Sequence, residues 1–548
     1  MATEPPPLLR APPFLGITPA IAAVSAPPAT DAPAQPQHRS NEPQQRLQGA
    51  APASDDPQVE AILAAVRTAR VGGTFWAAPV HEQADTIVRA RRGEAPRDIP
   101  ATALRLAGEA DPWSVLAPGV TLVAHGDDEW VAIAAIAGAD VRLLSPGRFG
   151  APGEAVGVLR RRVAAHLRAC RYRDPFAGEA CSLEETLALL VLWRDQIAAN
   201  RAIVAAAGMA WWKRAEIRRF LWAPRASRLP FLSGVAAVRR AARTRGSVAV
   251  WPSRITPEAV AEARRRGVAL VQVEDGFVRS VGLGANLVPP LSVTVDRLGI
   301  HYDPSRPSEL ERMLEAGGFP PALLARAAAL RARIVADRIS KYGSGDEAAL
   351  PVRMPGRRLV LVPGQVEDDR SVLLGGGAVA GNLDLLRRAR RAEPEAEIWF
   401  RPHPDVDAGH RKGGLGDADA LAYVDRVVRG GSMAALLAEV DAVHVLTSLT
   451  GFEALLRGRE VVCHGVPFFA GWGLTRDLAP VPDRRTRRLA LDELVTATLI
   501  LYPRYLDPVT LLPCPPETLV TRIAQRPEAR SGPLVRLRQL QGRLMRRF

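Results

Sequence analysis

Short apolar runs alternate with longer amphipathic segments along most of the chain. Apolar runs lie at 120–124, 268–273, 359–362, 397–400 and 442–446, and polar residues or glycine follow each of them. Short apolar strands separated by helix-length segments are typical of parallel sheets whose strands are joined by crossover helices. The pattern therefore predicts an α/β protein.

Two such strand–helix series follow one another, from about residue 230 to 345 and from about 357 to 520. They predict two Rossmann-type parallel-sheet domains with a cleft between them. Residues 183–222 are predicted to be helical. The full predicted division is a disordered Pro/Ala-rich tail at 1–58, a degenerate partial module at 59–190, a helical basic-aromatic linker at 191–229, an N-terminal Rossmann-like half at 230–350, a C-terminal half at 351–525, and a basic amphipathic helix at 526–548.

A repeated pattern links the partial module to the end of the chain. Segment 172–187 shares a Tyr-x-Asp-Pro start, a later Cys and a Glu-Thr-Leu triplet with segment 505–519. Matches in the same order indicate a decayed duplication. Residues 447–448 of the second copy are Thr-Ser, whereas residues 127–128 of the first are Asp-Asp, which would repel a phosphate. We therefore expect the first copy to be a scaffold.

Composition restricts the class of partner and the cellular location that can be expected. The 548 residues carry a net charge of +14, which favours an anionic partner, although a general arginine bias would give the same charge. The four cysteines have no zinc or disulfide-scaffold spacing. Prolines interrupt every apolar run near the N-terminus, and no apolar stretch reaches about 18 residues, so neither a signal peptide nor a membrane span is expected. Basic and aromatic residues interleave only at 211–222, which argues against a nucleic-acid partner.

The segment 273–303 carries the most informative polar residues. Glu274 and Asp275 end an apolar strand, and Gly282 and Gly284 follow. A carboxylate at the carboxyl edge of a sheet can act as a general acid or base when burial raises its pKa. Helix capping or an ion pair with Arg279 is the alternative. The two glycines lack the third glycine of a dinucleotide fingerprint, so no NAD site is predicted.

Three further loops follow predicted strands and contain groups suited to an anionic ligand. Gln365 to Asp369 supplies three carboxylates, which could bind a metal, provide a nucleophile or form an acidic turn, with a metal the weakest alternative. His403 lies between two prolines, near Arg401 and Lys412, and could contact a phosphate or remain an ordinary loop residue. Residues 447–454 run from a strand into a helix, where hydroxyls and backbone N–H groups either cap the helix or bind an anion.

Ordered segments between about 248 and 510 resemble one known family, the KpsC-type β-Kdo transferases of Gram-negative capsule assembly. The segments are EDGFVRSVGLG, PPLSVTVDRLGIHYD, LVPGQVEDDRS, RPHPDV, TSLTGFEALLRG and PFFAGWGLT. The resemblance implies a GT-B-like fold and a retaining transfer of Kdo from CMP-Kdo to a Kdo-primed (lyso)phosphatidylglycerol-type glycolipid, with no cofactor or metal. It also implies a peripheral location on the anionic inner face of the inner membrane.

Family members carry two modules in tandem, and the intact module here resembles the second. The first copy lacks counterparts of EDGF and of the QVEDD loop. We therefore expect one active module, with a partner Kdo transferase supplying the other linkage. A non-catalytic export or assembly factor that binds the glycolipid is the alternative function.

The resemblance also assigns roles to residues. Asp369 corresponds to the family's nucleophile and Glu274 to its general acid/base, while His403, Thr447 and Ser448 would hold the CMP phosphate. We assign the Kdo carboxylate to Arg279 from its charge and position. The other predicted substrate-binding residues are Asp275, Gln365, Arg401, Pro404, Lys412, Gly451 and Glu453.

Overall fold

A computed structural model describes residues 6–24, 56–225, 227–278, 288–340, 350–407 and 411–525. The chain divides into two compact units. The first contains the described residues up to Arg201 together with 222–225, and the second contains Ala202–Leu221 and the described residues from Ser227 onward. No helix in these described ranges has the length and apolar character that a membrane span requires.

The first unit combines a parallel sheet, a small antiparallel sheet and four α-helices. Its elements are β1 (Ala22–Val24), α1 (Pro57–Ala69), β2 (Thr86–Arg89), β3 (Leu104–Arg105), a 3₁₀ turn (Pro112–Ser114), β4 (Thr121–Ala124), α2 (Glu129–Ala137), β5 (Asp140–Leu143), α3 (Val156–Ala169), β6 (Cys170–Arg173), β7 (Ala180–Cys181) and α4 (Leu183–Asn200). The parallel sheet has the order β3-β2-β4-β5, and the antiparallel sheet has the order β1-β6-β7.

Residues 6–24 differ from the disordered tail expected over 1–58. Leu8 and Leu9 are buried, and β1 pairs with β6 from Ala22 to Val24. Apolar residues between prolines can pack against a preformed core without any helical or strand periodicity of their own, and the sequence pattern therefore does not reveal them. The rest of the expected tail up to residue 55 lies outside the described residues.

The first half of the second unit is built on a seven-stranded sheet. Its elements are β8 (Ile203–Ala207), a 3₁₀ turn (Trp211–Lys213), α5 (Arg214–Phe220), β9 (Phe231–Leu232), α6 (Gly234–Thr244), β10 (Ser247–Val250), a 3₁₀ turn (Pro252–Arg254), α7 (Pro257–Arg266), β11 (Leu270–Asp275), β12 (Ser292–Asp296), α8 (Glu309–Ala316) and α9 (Pro321–Ala336). Strands β8, β9, β10 and β11 are parallel to one another, and β12 pairs antiparallel with β11.

The second half is built on a six-stranded parallel sheet of order β15-β14-β13-β16-β17-β18. Its elements are β13 (Leu359–Pro363), α10 (Arg370–Gly375), α11 (Asn382–Ala392), β14 (Glu397–Arg401), α12 (Pro404–Asp407), α13 (Asp417–Leu421), β15 (Arg426–Val427), α14 (Met433–Glu439), β16 (Ala442–Val445), α15 (Leu449–Leu456), β17 (Glu460–Cys463), β18 (Arg476–Asp477), α16 (Leu491–Val495), a π-helical turn (Thr496–Leu501), β19 (Pro503–Leu506), β20 (Pro513–Cys514) and α17 (Pro516–Gln525). The central strands β13 and β16 are buried along their whole length, as parallel strands covered on both faces should be.

Two segments lie in a different place from the one predicted. The segment predicted as helix over 183–222 contains β8, because the uniformly apolar run Ile203–Ala207 has no periodicity that separates a buried strand from a helix. The end of the chain returns to the first half, where β19 pairs with β12 and β20 with β19, all antiparallel. The seven-stranded sheet is therefore mixed, whereas the sequence pattern predicted a purely parallel one.

The repeated pattern has matching geometry in the two units. Tyr172 pairs with Cys181 across β6 and β7, and Tyr505 pairs with Cys514 across β19 and β20. The hydroxyl of Tyr172 donates to the Leu167 carbonyl at 2.8 Å, and that of Tyr505 donates to the Leu499 carbonyl at 2.6 Å. Strand β1 also pairs antiparallel with β6, as β12 does with β19. These shared details support the duplication inferred from the sequence.

Two histidines contact each other in the core of the six-stranded sheet. His444 Nδ1 lies 3.0 Å from His464 Nε2, and both side chains are buried. Burial lowers the pKa of His444 to about 3 and that of His464 to about 4. Both imidazoles are therefore neutral in the folded protein.

This pair predicts acid-sensitive stability. An unfolded histidine protonates near its ordinary pKa of about 6.5, so the free energy of unfolding should fall as the pH drops from there towards about 4. In urea unfolding across this range, the double variant His444→Gln/His464→Gln should show a smaller acid-induced loss of stability than wild type, by up to roughly 6 kcal/mol. Parallel pH–stability curves for the two proteins would contradict this expectation.

Candidate functional site

The acid pair lies at the carboxyl end of β11. Glu274 pairs with Thr294 and Asp275 with Val293 of β12, so the antiparallel ladder holds the backbone of both residues. A Cβ on the next residue, Gly276, would lie 2.2 Å from Ser292 Oγ. Only glycine fits this close approach, and it lets the chain turn immediately after the two carboxylates.

Lys213 is the counterion of Asp275. Its Nζ lies 2.8 Å from Asp275 Oδ1 and 3.6 Å from the ring centroid of Trp251, and the side chain is only 8 % exposed. Trp251 directly follows β10, and Lys213 lies in the turn that follows β8. The ion pair and the cation–π contact therefore join the carboxyl ends of three neighbouring strands.

Glu274 is held in a more protonated state than an ordinary glutamate. Burial, then the charge of Asp275, raise the pKa of Glu274 to about 7, and the charge of Asp369 adds to this effect. Lys213 and a hydrogen bond from the Asp275 backbone N–H to Glu274 Oε1, 3.1 Å long, act in the opposite direction. A carboxyl that titrates near neutral pH can accept or donate a proton at little cost.

Asp369 is presented by the six-stranded sheet at the start of α10. It is the N-cap of this helix, and its Oδ1 accepts hydrogen bonds from the Ser371 backbone N–H at 2.9 Å and the Ser371 hydroxyl at 2.7 Å. These two donors fix the orientation of an otherwise exposed carboxylate. Its second oxygen, Oδ2, accepts neither of these hydrogen bonds.

Asp369 and Glu274 belong to different sheets but share one electrostatic environment. The charge of Asp369 contributes to the raised pKa of Glu274. Burial and then the charge of Glu274 raise the pKa of the Tyr302 hydroxyl well above its usual range; the charge of Asp369 adds to this, and Arg370 acts in the opposite direction. The phenol is therefore protonated at neutral pH.

Phe277 joins the two halves beside these carboxylates. Its ring centroid lies 4.9 Å from those of His301 and Phe468, and 6.2 Å from that of Phe452 on α15. Phe277 and Phe452 are almost completely buried. The residue that follows the acid pair and its glycine thus anchors this strand end against the second half.

Gln365 organises the carboxyl edge of the six-stranded sheet. Its Nε2 donates to Thr447 Oγ1 at 3.0 Å, and its Oε1 accepts from the Thr447 backbone N–H at 2.9 Å. Its backbone N–H and carbonyl are both hydrogen-bonded to the side chain of Asn382, each at 2.8 Å. The loop after β13 is therefore fixed to the start of α15 by a buried amide.

The remaining predicted residues of the second half lie around the same edge. His403 and Pro404 follow β14, and a Cβ on Gly364 would lie 3.2 Å from the His403 backbone nitrogen. The Lys412 carbonyl accepts from the Glu367 backbone N–H at 3.2 Å. Ser448 caps α15, with its hydroxyl oxygen accepting from the Thr450 backbone N–H.

Gly451 and Glu453 lie within α15, where a Cβ on Gly451 would collide with Phe469. Arg401 differs from the others, because its guanidinium donates to the carbonyls of Val428, Gly430 and Gly431. It therefore supports the loop after β15. Arg279 lies outside the described residues.

Three contributors to the site were not predicted as site residues. Lys213 is part of the basic-aromatic run at 211–222, and no sequence pattern marks Tyr302 or Ser371. A signal for Lys213 does exist, because the chain contains only three lysines, Lys213, Lys341 and Lys412, among 72 basic residues. Because lysine is so rare in this arginine-rich chain, each lysine could have been singled out as a candidate site residue.

Comparison with known proteins agrees with this architecture. The sequence profile of a family described as capsule polysaccharide biosynthesis protein matches residues 247–350 and 351–505. The capsule polysaccharide modification protein LipA of Neisseria meningitidis serogroup A is 41 % identical over 357 residues, covering 64 % of this chain and 50 % of LipA. The lipopolysaccharide-processing protein LpsZ of Rhizobium meliloti is 47 % identical over 247 residues, covering 44 % of this chain and 56 % of LpsZ. The chain thus spans about half the length of the curated relatives it matches.

A solved structure has a similar fold. Thermosulfurimonas dismutans KpsC, a β-Kdo 2,4 transferase, is 33 % identical, with a TM-score of 0.50, and the match covers 59 % of this chain and 98 % of that one. The α/β, GT-B-like fold class predicted from the sequence is confirmed. The chain belongs to the KpsC-type family of capsule polysaccharide biosynthesis proteins.

Proposed function

We propose that this protein is a retaining β-Kdo glycosyltransferase that moves Kdo from CMP-Kdo onto a Kdo-primed lipid acceptor during synthesis of the capsular polysaccharide linker. One observation carries the proposal. Asp369 and Glu274 come from separate sheets, yet the charge of Asp369 helps to raise the pKa of Glu274. Glu274, with its raised pKa, suits the base of a double displacement, and Asp369, oriented by the two Ser371 donors, suits the nucleophile.

In the first step, Asp369 acts as the nucleophile. Its Oδ2 attacks the anomeric carbon of Kdo, the bond from this carbon to the phosphate oxygen breaks, and the electron pair leaves with CMP. The Ser371 donors on Oδ1 hold the carboxylate in position for this attack. CMP is a fair leaving group, so the step needs neither a metal nor a cofactor.

In the second step, an acceptor hydroxyl attacks the same carbon and displaces Asp369. The proton of this hydroxyl passes to Glu274, whose pKa of about 7 allows it to act as a base at neutral pH. Two inversions at one carbon return the original anomeric configuration. Glu274 must be ionised for this step, so the rate should rise with pH.

The carboxyl edge of the six-stranded sheet is the proposed site for CMP. Thr447 and Ser448 lie where a strand passes into α15, and hydroxyls and N–H groups at such a junction stabilise a phosphate. Gln365 fixes Thr447 in place. His403 would contact the phosphate from the neighbouring strand end.

The first unit supports the proposal of a single active module. Its counterpart of Ser448 is Asp128, which caps α2 and pairs with Arg89 at 2.8 Å. A carboxylate at this position opposes phosphate binding. A partner Kdo transferase would then supply the other linkage, and the acceptor would be presented at the anionic inner face of the inner membrane.

Replacing Asp369 tests its role as nucleophile. Asp369→Asn keeps an N-cap acceptor for Ser371 but removes the attacking carboxylate, so Kdo transfer from CMP-Kdo should fall by roughly a thousandfold or more. Asp368→Ala is the matched control, because Asp368 is an exposed neighbour that pairs with Arg411 at 3.0 Å. This control should keep near-wild-type turnover. Equal turnover in Asp369→Asn and wild type would refute the role of Asp369. If the wild-type protein binds the glycolipid but transfers no Kdo, the non-catalytic export or assembly function is favoured.

Replacing Glu274 tests the acid/base role. The wild-type transfer rate should rise with pH through an ionisation near 7, and Glu274→Gln should lose this ionisation together with most of the activity. Because only the second step needs the base, Glu274→Gln incubated with CMP-Kdo should gain the mass of one Kdo residue on Asp369, detectable by intact-protein mass spectrometry.

A stability measurement distinguishes a direct loss of activity in Glu274→Gln from a loss caused by misfolding. A carboxyl whose pKa is raised on folding lowers stability as the pH rises from about 4.5 to about 7. The free energy of unfolding of Glu274→Gln should therefore be roughly 2 kcal/mol higher than that of wild type at pH 8, and the two should differ little at pH 4.5. A wild-type rate of Kdo transfer that does not change with pH between 5.5 and 8.5 would contradict the acid/base role of Glu274.

A further inference from the structure

An indole is presented to solvent at the catalytic edge of the seven-stranded sheet. Trp211 is 52 % exposed, which is unusual for so large an apolar side chain. It lies in the 3₁₀ turn after β8, and the ends of β8 and β10 are aligned, with Ala207 opposite Val250. Two residues later, Lys213 contacts Asp275 next to Glu274.

The loop that carries Trp211 is held rigidly. Gly208 has φ +74°, and a Cβ there would lie 3.2 Å from the Trp251 carbonyl oxygen. Arg214 Nε donates to the Met209 carbonyl at 3.3 Å, and the Lys213 backbone N–H donates to the Ala210 carbonyl at 3.0 Å. With Lys213 also in a buried ion pair, the backbone that carries the indole is held in place, which lowers the entropic cost of ligand binding.

Two exposed arginines lie at this edge of the sheet. Arg214 is exposed and lies three residues after Trp211. Arg254 is also exposed, and its Cβ lies 3.3 Å from the position that a Cβ on Gly208 would take. Residues 209–215 include no aspartate or glutamate. The loops after β8 and β10 approach each other at Gly208 and Arg254, and they supply an exposed indole and an exposed guanidinium at one sheet edge. These groups suit a sugar ring that carries a carboxylate.

We infer that Trp211, together with Arg254, forms a subsite for the acidic sugar at the end of the acceptor. This inference rests on the proposed function and names the part of the acceptor that is recognised. The elements suited to CMP, including Gln365 and Thr447, lie on the other sheet. Trp211 lies on the sheet that carries Glu274, the group that would take the proton of the acceptor hydroxyl.

Binding without donor tests the subsite independently of catalysis. The probe is a soluble β-Kdo glycoside with a short alkyl aglycone, titrated by ligand-observed NMR, alongside the same glycoside with its carboxylate reduced to an alcohol. Trp211→Ala should weaken binding of both probes by about tenfold, and Trp211→Phe should restore most of the affinity. Arg254→Gln should weaken binding of the acidic probe by several-fold and leave the reduced probe unchanged. Arg243→Ala, an exposed arginine on α6, is the matched control and should bind as wild type.

Unchanged affinity in Trp211→Ala would overturn the inference, as would the absence of any wild-type binding. An effect of Trp211→Ala that appears only with anionic phospholipid vesicles would also overturn it, in favour of a membrane contact. Wild-type binding that depends on Trp211, with no transfer when CMP-Kdo is added, would leave the subsite standing and refute the proposed function.

Discussion

The buried ion pair between Lys213 and Asp275 is the interaction that holds together the sheet edge carrying the proposed acid/base, Glu274. Two adjacent carboxylates at the end of one strand would repel each other, and both would tend to protonate. Lys213 bonds one of them at 2.8 Å, while its neighbour Glu274 titrates near neutral pH. Burial and the charge of Asp275 raise the pKa of Glu274, and Lys213, which pairs with Asp275, limits this rise. The removal of one partner from such a buried pair costs roughly 3–5 kcal/mol.

The four residues from Glu274 to Phe277 show how closely function and packing are joined. Glu274 supplies the titrating group, and Asp275 anchors the turn after β8 through Lys213. Gly276 permits the close approach of Ser292, and Phe277 packs against Phe468 and Phe452 of the second half. Each residue has a separate physical task, and substitution of Asp275, Gly276 or Phe277 would remove one of the contacts that position Glu274.

Much of the fold and part of the site could be predicted from local sequence. Strands β13, β14 and β16 and the loops that follow them are short, apolar and followed by polar residues, so Gln365, Asp369 and Thr447 could be placed at one sheet edge. Strand β8 could not be predicted, because its apolar run has no periodicity that distinguishes a strand from a helix. The antiparallel pairing of β12 and β19 could not be predicted either, because it depends on residues far apart in the chain. Lys213 lies 62 residues from its partner Asp275, and no local pattern reports such a contact.

The most direct test of this electrostatic account is the pH dependence of Kdo transfer in Lys213→Met. Without the lysine charge, the acid pair should hold its protons more tightly, and the ionisation near pH 7 should move upward by about one pH unit. Lys213→Arg, which keeps the charge, should stay close to the wild-type profile. An ionisation that is unchanged or lower in Lys213→Met would contradict the claim that Lys213 lowers the pKa of Glu274.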